Sequence, residues 1–246
     1  MDAKRRYEQQ KVFWEHAGEI GYGEAQFSSQ LVEHHIITKQ WNAVIETAKI
    51  LGLGEDSKIL ELGCGDGKFS EHVLATHFKS IDAFDVSEAG IKRAQSLSKS
   101  GKVSYGVQDL TKYEYEAEAH WDGLIMLGFL HHVKGFAPDI VSRVARVCPK
   151  VVVLEPNGNN IIRKMLERLP SYQRAGEDSF KRQELLQLFG AHNYTLKTFS
   201  RITFMPTFLP QSLLSSFRIL EKMIESTPVF NRLCATYVFG FESNAS

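Results

Sequence analysis

Between residues 57 and 157 the sequence switches repeatedly between two periods, and that alternation limits the fold more than any other feature. "SKILEL" (57–62), "SIDAFDV" (80–86), "KVSYGVQ" (102–108), "WDGLIML" (121–127) and "KVVVLE" (150–155) are short apolar or β-branched runs of strand length. Helical spacing fills the gaps: about 67–76, "SEAGIKRAQSLSK" behind Ser87 as N-cap, and "FAPDIVSRVARV" (136–147). Strands joined in turn by helices predict a parallel sheet covered on both faces. Two later strands, "YTLKTFSRITF" (194–204) and "CATYVFGFE" (234–242), bring the sheet to seven. The expected class is α/β, doubly wound and mostly parallel.

The flanks read differently. "YEQQKVFWEHAGEIGYGEAQF" is a helix followed by a Gly-containing loop, outside the sheet. From Leu31 to Leu51 apolar residues recur at helical spacing, and Gly52 and Gly54 stop the run. Further helices fall at 159–169 and 179–190. A Pro-bounded apolar helical insertion at about 205–233 separates the last two strands. The organisation expected is an N-terminal helical lid or cap over 1–54, and one sheet domain over 55–246 carrying that insertion.

Composition excludes several classes. With 246 residues and 43% hydrophobic content, one substantial core is the natural outcome. Lys plus Arg equals Asp plus Glu at 29 each, so no global charge grips nucleic acid or an anionic membrane. Cys64, Cys148 and Cys234 are too few and too scattered for a disulfide framework or a zinc cluster, which points to a reducing cytoplasm. The first residues lack the apolar core of a secretory signal, and no run is long enough to span a membrane.

"KILELGCGDGKFS" (58–70) places Gly63, Gly65 and Gly67 directly after the first strand. Glycine admits positive φ and lets a ligand approach bare backbone; amides at the following helix start can meet a polar group there. A dinucleotide loop would carry its third glycine at position 68, where Lys68 stands. The segment resembles the cofactor loop of class I S-adenosylmethionine-dependent methyltransferases, whose sheet is Rossmann-like. The resemblance extends to Asp85 in "AFDVS", Asp109 in "GVQDL" and "WDGLIMLGFLHHV" after the fourth strand, and is strong over about 57–157. It implies that Asp85 accepts from both ribose hydroxyls, as a carboxylate with two acceptor oxygens can. Asp109 meets the adenine amino group, with Leu110 beside the ring. The cofactor contacts implied are Glu61, Gly63, Cys64, Gly65, Asp85, Val86, Asp109, Leu110 and Leu127.

Methyl transfer to a hydroxyl, an acidic carbon or a protonated amine needs a base near the methyl group. By the resemblance that base is His131 or His132; the alternative is that one histidine only fixes the loop. Glu155 in "VLEPNG" ends the fifth strand, where it either contacts substrate, orients a histidine or is satisfied by backbone amides; Asn157 has a weaker claim. Cys64 reads as a small residue packed beside the cofactor. His34 and His35 have no acid or cysteine at ligand spacing, so no metal is expected.

Three features bear on the methyl acceptor. Phe13, Trp14, Tyr22 and Phe27 form either a lid or a staple onto the sheet. The 205–233 insertion, with Phe204, Met205, Phe208, Leu209, Leu213, Leu214, Phe217, Leu220, Met223 and Ile224, forms an apolar cap, a face for a second copy of the chain, or ordinary packing. Arg163, Lys164, Arg168, Arg174, Lys181 and Arg182 either recognise an anionic group or make a solvated face. The acceptor expected is a small organic or lipid-like molecule methylated on O, N or C, as in secondary-metabolite or glycolipid assembly. "LGFL" replaces the tetrad of DNA-modifying members, so nucleic acid is not the expected partner. The rivals are a catalytically silent scaffold of the same fold and a nicotinamide-dependent oxidoreductase.

Overall fold

The computed structural model describes residues 3–20, 27, 29–116, 118–168 and 178–244. Five strands, β1 (Lys58–Leu62), β2 (Ser80–Asp85), β3 (Val103–Val107), β4 (Gly123–Leu127) and β5 (Lys150–Pro156), pair in parallel. β6 (Tyr194–Ile202) and β7 (Thr236–Ser243) complete a seven-stranded sheet in the order β3-β2-β1-β4-β5-β7-β6. β7 runs antiparallel to both its neighbours. The chain winds outward from β1 to β3 and then returns to β4 on the other side of β1. That reversal opens a crevice at the carboxyl ends of β1 and β4, where a doubly wound sheet holds its ligands.

Successive strand residues face opposite layers. Leu60, Leu62, Leu124 and Met126 pack with Ile140 and Val144 of α5 (Ala137–Val144) and with Leu185 and Phe189 of α7 (Arg182–Gly190). Ile59, Ile81, Ile125 and Val152 pack on the other face with Val44, Ile45 and Ala48 of α2 (Gln30–Ile50) and Ile91 of α4 (Glu88–Leu97). A strand covered on both faces reads as a continuous apolar run, which is why β1 and β4 stand out in the sequence. Two expected helices are shorter than their patterns: 67–76 becomes a π-helical turn (Ser70–Leu74) leading into α3 (Ala75–His77), and 159–169 becomes α6 (Ile161–Leu166). No helix among the described residues is long and apolar enough to cross a membrane.

The N-terminal segment divides between two tasks. α1 (Ala3–Ile20) lies against α4, and Glu15 Oε1 accepts the Ala89 N–H at 3.0 Å, where the positive end of that helix favours an acid. α2 spends its second half on the sheet. Its first half, through Val32 and Ile36, packs with Met205, Leu209 and Leu214 of the insertion. That insertion contains α8 (Leu214–Ser226), which leaves Leu220 and Met223 exposed.

One buried carboxylate ties α8 to α2. Glu221 lies 2.8 Å from both Lys39 Nζ and His35 Nε2, and accepts the N–H groups of Phe204 at 2.8 Å and Met205 at 3.0 Å. Burial pushes its carboxyl up, but the bonds from Lys39, His35 and Met205 outweigh burial and hold it below the usual carboxylate range. Removing one member of a buried ion pair strands the rest. Glu221→Ala should therefore lower the unfolding free energy by about 3 kcal/mol in urea titration; a change under about 1 kcal/mol would mean that apolar packing alone seats the insertion.

Candidate active site

The glycine loop after β1 has two parts with different purposes. Gly63 adopts φ +79°, and a Cβ there would lie 2.7 Å from the Phe129 ring, so Gly63 allows the loops after β1 and β4 to close on each other. Gly67, at φ +72°, would drive a Cβ to 2.6 Å from Ala94 of α4. It serves helix packing and stands away from the crevice. Between them, the Gly65 N–H donates to Asp85 Oδ2 at 2.9 Å, and the Ser87 N–H donates to Asp85 Oδ1 at 2.9 Å. Each carboxylate oxygen keeps a further acceptor site. Burial pushes the Asp85 carboxyl up, against those backbone bonds.

Glu61, at the end of β1, is buried and accepts Ser70 Oγ–H at 2.6 Å from the π-helical turn. Burial lifts its carboxyl to about 7. Cys64 is buried beside it, and burial keeps its thiol protonated far above the ordinary range, so it is no nucleophile.

After β4 the chain turns at Gly128 and presents His131 and His132. His131 Nδ1 lies 2.7 Å from Glu155 Oε2, while Glu155 Oε1 accepts the Leu130 N–H at 2.8 Å. Both side chains of that pair are buried. The His132 ring lies 3.8 Å from the His131 ring and 4.4 Å from Trp14 of α1.

These groups meet around one cavity of about 700 Å³. Its walls include Glu61, Gly63, Cys64, Gly65, Asp85, Val86, Leu110, Leu127, His131 and His132. Two residues expected at its surface are elsewhere. Glu155 lies behind His131, with no exposed surface, and meets the cavity only by way of that ring. Asp109 turns its carboxylate to α1 and its own loop, accepting Tyr7 Oη–H at 2.8 Å and Thr111 Oγ1–H at 2.6 Å, with Lys112 Nζ at 3.3 Å and Lys11 Nζ at 3.7 Å. Burial raises its carboxyl, but the bonds from Thr111, Tyr7 and Lys112 prevail and bring it to about 2. Asn157 is consumed internally, donating to Cys234 O at 2.7 Å and Arg232 O at 3.3 Å.

The far part of the cavity is apolar, walled by Ile36, Ile37, Trp41, Phe204, Met205, Phe208 and Phe217. Phe27 also lines it; Tyr22 lies outside the described residues. Tyr7, Gln10 and Lys11 of α1 reach the cavity without having been singled out in the sequence. With Trp14 they fall at i, i+3, i+4 and i+7, the spacing of one helix face, which was the available signal. Of the basic run, Arg163 and Lys164 pair with Glu167 at 3.5 Å and 2.7 Å, and Arg174 lies outside the described residues. His35 belongs to the Glu221 clamp. Among the described residues no three His, Cys, Asp or Glu side chains gather as metal ligands.

Residues 59–150 match the family model for a methyltransferase domain, Methyltransf_25. Over those residues the chain is similar to S-adenosylmethionine-dependent methyltransferase domains. The chain is 28% identical over 142 residues to O-methyltransferase resE of Aspergillus sclerotiorum, a match covering 55% of this chain and 52% of that protein. It is 24% identical over 143 residues to the ubiquinone biosynthesis O-methyltransferase of Rickettsia bellii (strain OSU 85-389), covering 58% and 55%. The matched stretch thus spans about half the length of these curated relatives. In fold, the chain resembles magnesium protoporphyrin IX methyltransferase (ChlM) from Synechocystis PCC 6803 with bound SAH, at a TM-score of 0.64 and 14% identity over 96% of this chain and 100% of that one.

The raised Glu61 carboxyl ties stability to pH. Between the ordinary glutamate value and about 7 the folded state holds a proton that the unfolded state has released, so stability falls as pH rises through this window. The loss should reach roughly 3 kcal/mol by pH 8 and be abolished in Glu61→Gln. Urea unfolding of both proteins at pH 5 and pH 8 measures it; equal slopes in the two would show that Glu61 is not the group titrating.

Proposed function

We propose that this protein transfers a methyl group from S-adenosylmethionine to a hydroxyl of a small, apolar acceptor. The observation that carries the reading is that the Asp85 cradle and the Glu155–His131 pair open on one cavity, whose remaining wall is apolar. The residues suit the cofactor: a loop free of Cβ at Gly63 and Gly65, a carboxylate at Asp85 with acceptor sites for a diol, and apolar Val86, Leu110 and Leu127 beside it. Glu61, a buried carboxylate without a cation, offers a partner to the cofactor's ammonium. When bound, the cofactor supplies an electrophilic methyl group on sulfur.

The chain's own residues do the rest. Glu155 accepts from Nδ1–H of His131, which fixes the ring and makes Nε2 its basic nitrogen. That nitrogen takes the proton from the acceptor hydroxyl, and Glu155 stabilises the imidazolium that results. His132 packs between His131 and the Trp14 ring, tilted to both, and holds the His131 ring's position. α1 and the insertion close the two open sides, as a lid and a cap that exclude water. Oxygen as the receiving atom is supported by the two O-methyltransferase relatives and by the presence of a base. A silent scaffold has no use for a buried carboxylate–imidazole pair, and Lys68 stands where a dinucleotide loop needs glycine.

Calorimetry with S-adenosylhomocysteine should show binding that Asp85→Ala weakens by ~2 kcal/mol, roughly thirtyfold. Against a panel of apolar phenols and aliphatic alcohols, His131→Ala should lower turnover by at least about a hundredfold with cofactor affinity unchanged; Glu155→Gln should follow it, and His132→Ala should cost far less. No binding of the cofactor product by folded protein would sink the reading, and full activity in His131→Ala would remove the base.

A further inference from the structure

A second cavity, of about 340 Å³, is lined by Asn157, Asn159, Arg182, Arg201, Arg232 and Tyr237. Its three arginines come from separate elements: the start of α7, the end of β6, and the 3-10 turn Phe230–Leu233 before β7. Among the described residues, no carboxylate lies within ion-pair distance of any of the three. The neighbouring cations differ. Arg163 and Lys164 are neutralised by Glu167, and Lys134 lies against Asp178 and Glu184.

The guanidiniums are held ready. Arg182 and Arg201 both pack on the Phe199 ring, at 4.7 Å and 4.8 Å from its centre, which orients the planar groups without consuming their N–H donors. Arg182 Nε is buried and makes no hydrogen bond. Arg201 spends one N–H on Asn231 Oδ1 at 3.4 Å, and Arg232 is exposed. Asn159 Oδ1 already accepts Tyr237 Oη–H at 2.6 Å and the Arg182 N–H at 2.8 Å, so its amide NH₂ adds another donor. The lining offers donors and positive charge with no acid to match them. Like charges gathered this way repel one another, and a buried donor without a partner is costly; an oxyanion relieves both.

We propose that Arg182, Arg201 and Arg232 form a binding site for an oxyanion of the phosphate class. A dianion with several acceptor oxygens answers three forked donors better than a single carboxylate does. The site is separate from the cofactor cradle and stands whether or not the chain transfers methyl groups. It is also close to the acceptor cavity, since Asn160, Leu233 and Thr236 line the latter and each adjoins a residue of the former. The phosphate is therefore either free or a substituent on a molecule whose apolar part lies in the larger cavity.

The test is a titration of the full-length chain with sodium phosphate at ionic strength held constant by sodium chloride, followed by calorimetry and by melting temperature. Saturable binding is expected, weakened at least tenfold by Arg201→Gln and by Arg232→Gln. Arg232, being exposed, covers the case in which the Arg201 variant folds poorly. Hexyl phosphate assigns the source: affinity tenfold above inorganic phosphate, lost in Phe208→Ser, marks a phosphorylated apolar ligand, whereas equal affinities mark a free oxyanion. Absence of saturable binding, a response that chloride reproduces, or equal binding by folded Arg232→Gln would overturn the proposal.

Discussion

The buried carboxylate of Glu155 is the contact on which the functional half of this molecule depends. A carboxylate without solvent contact must have its acceptor sites filled from within the protein. Glu155 fills them from the turn after β4, taking the Leu130 N–H and His131 Nδ1. Fixing that turn fixes what flanks it. On one side Phe129 rests where only a glycine leaves room, over Gly63. On the other, His132 meets Trp14 of α1. One acid at the end of β5 thus sets the spacing of the β1 loop, the histidine pair and the N-terminal helix.

Much of this was legible in the sequence because it is local. The buried strands β1 and β4 announce themselves as apolar runs, and Glu61, Gly63 and Asp85 stand at strand ends that the alternation of periods locates. What was not legible is pairing at a distance. Asp109 carries the right residue type at the right strand end, yet its carboxylate is taken by Tyr7, 102 residues away, and nothing in "GVQDL" announces that partner. Glu155 left three readings open, and its burial behind His131 has no trace in the local pattern. β7 gives the same β-branched and aromatic signal whichever way it runs, so its antiparallel insertion between β5 and β6 had no trace in the pattern.

Net charge was the least informative property. A formal total of zero is compatible with two opposite local situations found a short distance apart. In one, the cations of 163–164 meet an acid within three or four residues along the chain. In the other, three arginines from different elements converge with no acid beside them among the described residues. The sequence shows one basic run that includes Arg182 with Arg163 and Lys164, but hides its convergence with Arg201 and Arg232, which become neighbours only when β6 and β7 pair.

That pairing has one more consequence. Ile202, the last residue of β6, is opposite Thr236, the first of β7. Topologically, everything between them is the loop of a β-hairpin, although it carries a helix and much of the acceptor cavity. The entropy of closing such a loop grows only slowly with its length. Within 203–235, length can therefore change at little entropic cost wherever the Glu221 clamp and the packing of Met205, Leu209 and Leu214 on α2 are kept. An insertion of 203–235 that enters and leaves at one strand pair can vary in its exposed residues, such as Phe208 and Met223, without altering the register of the sheet.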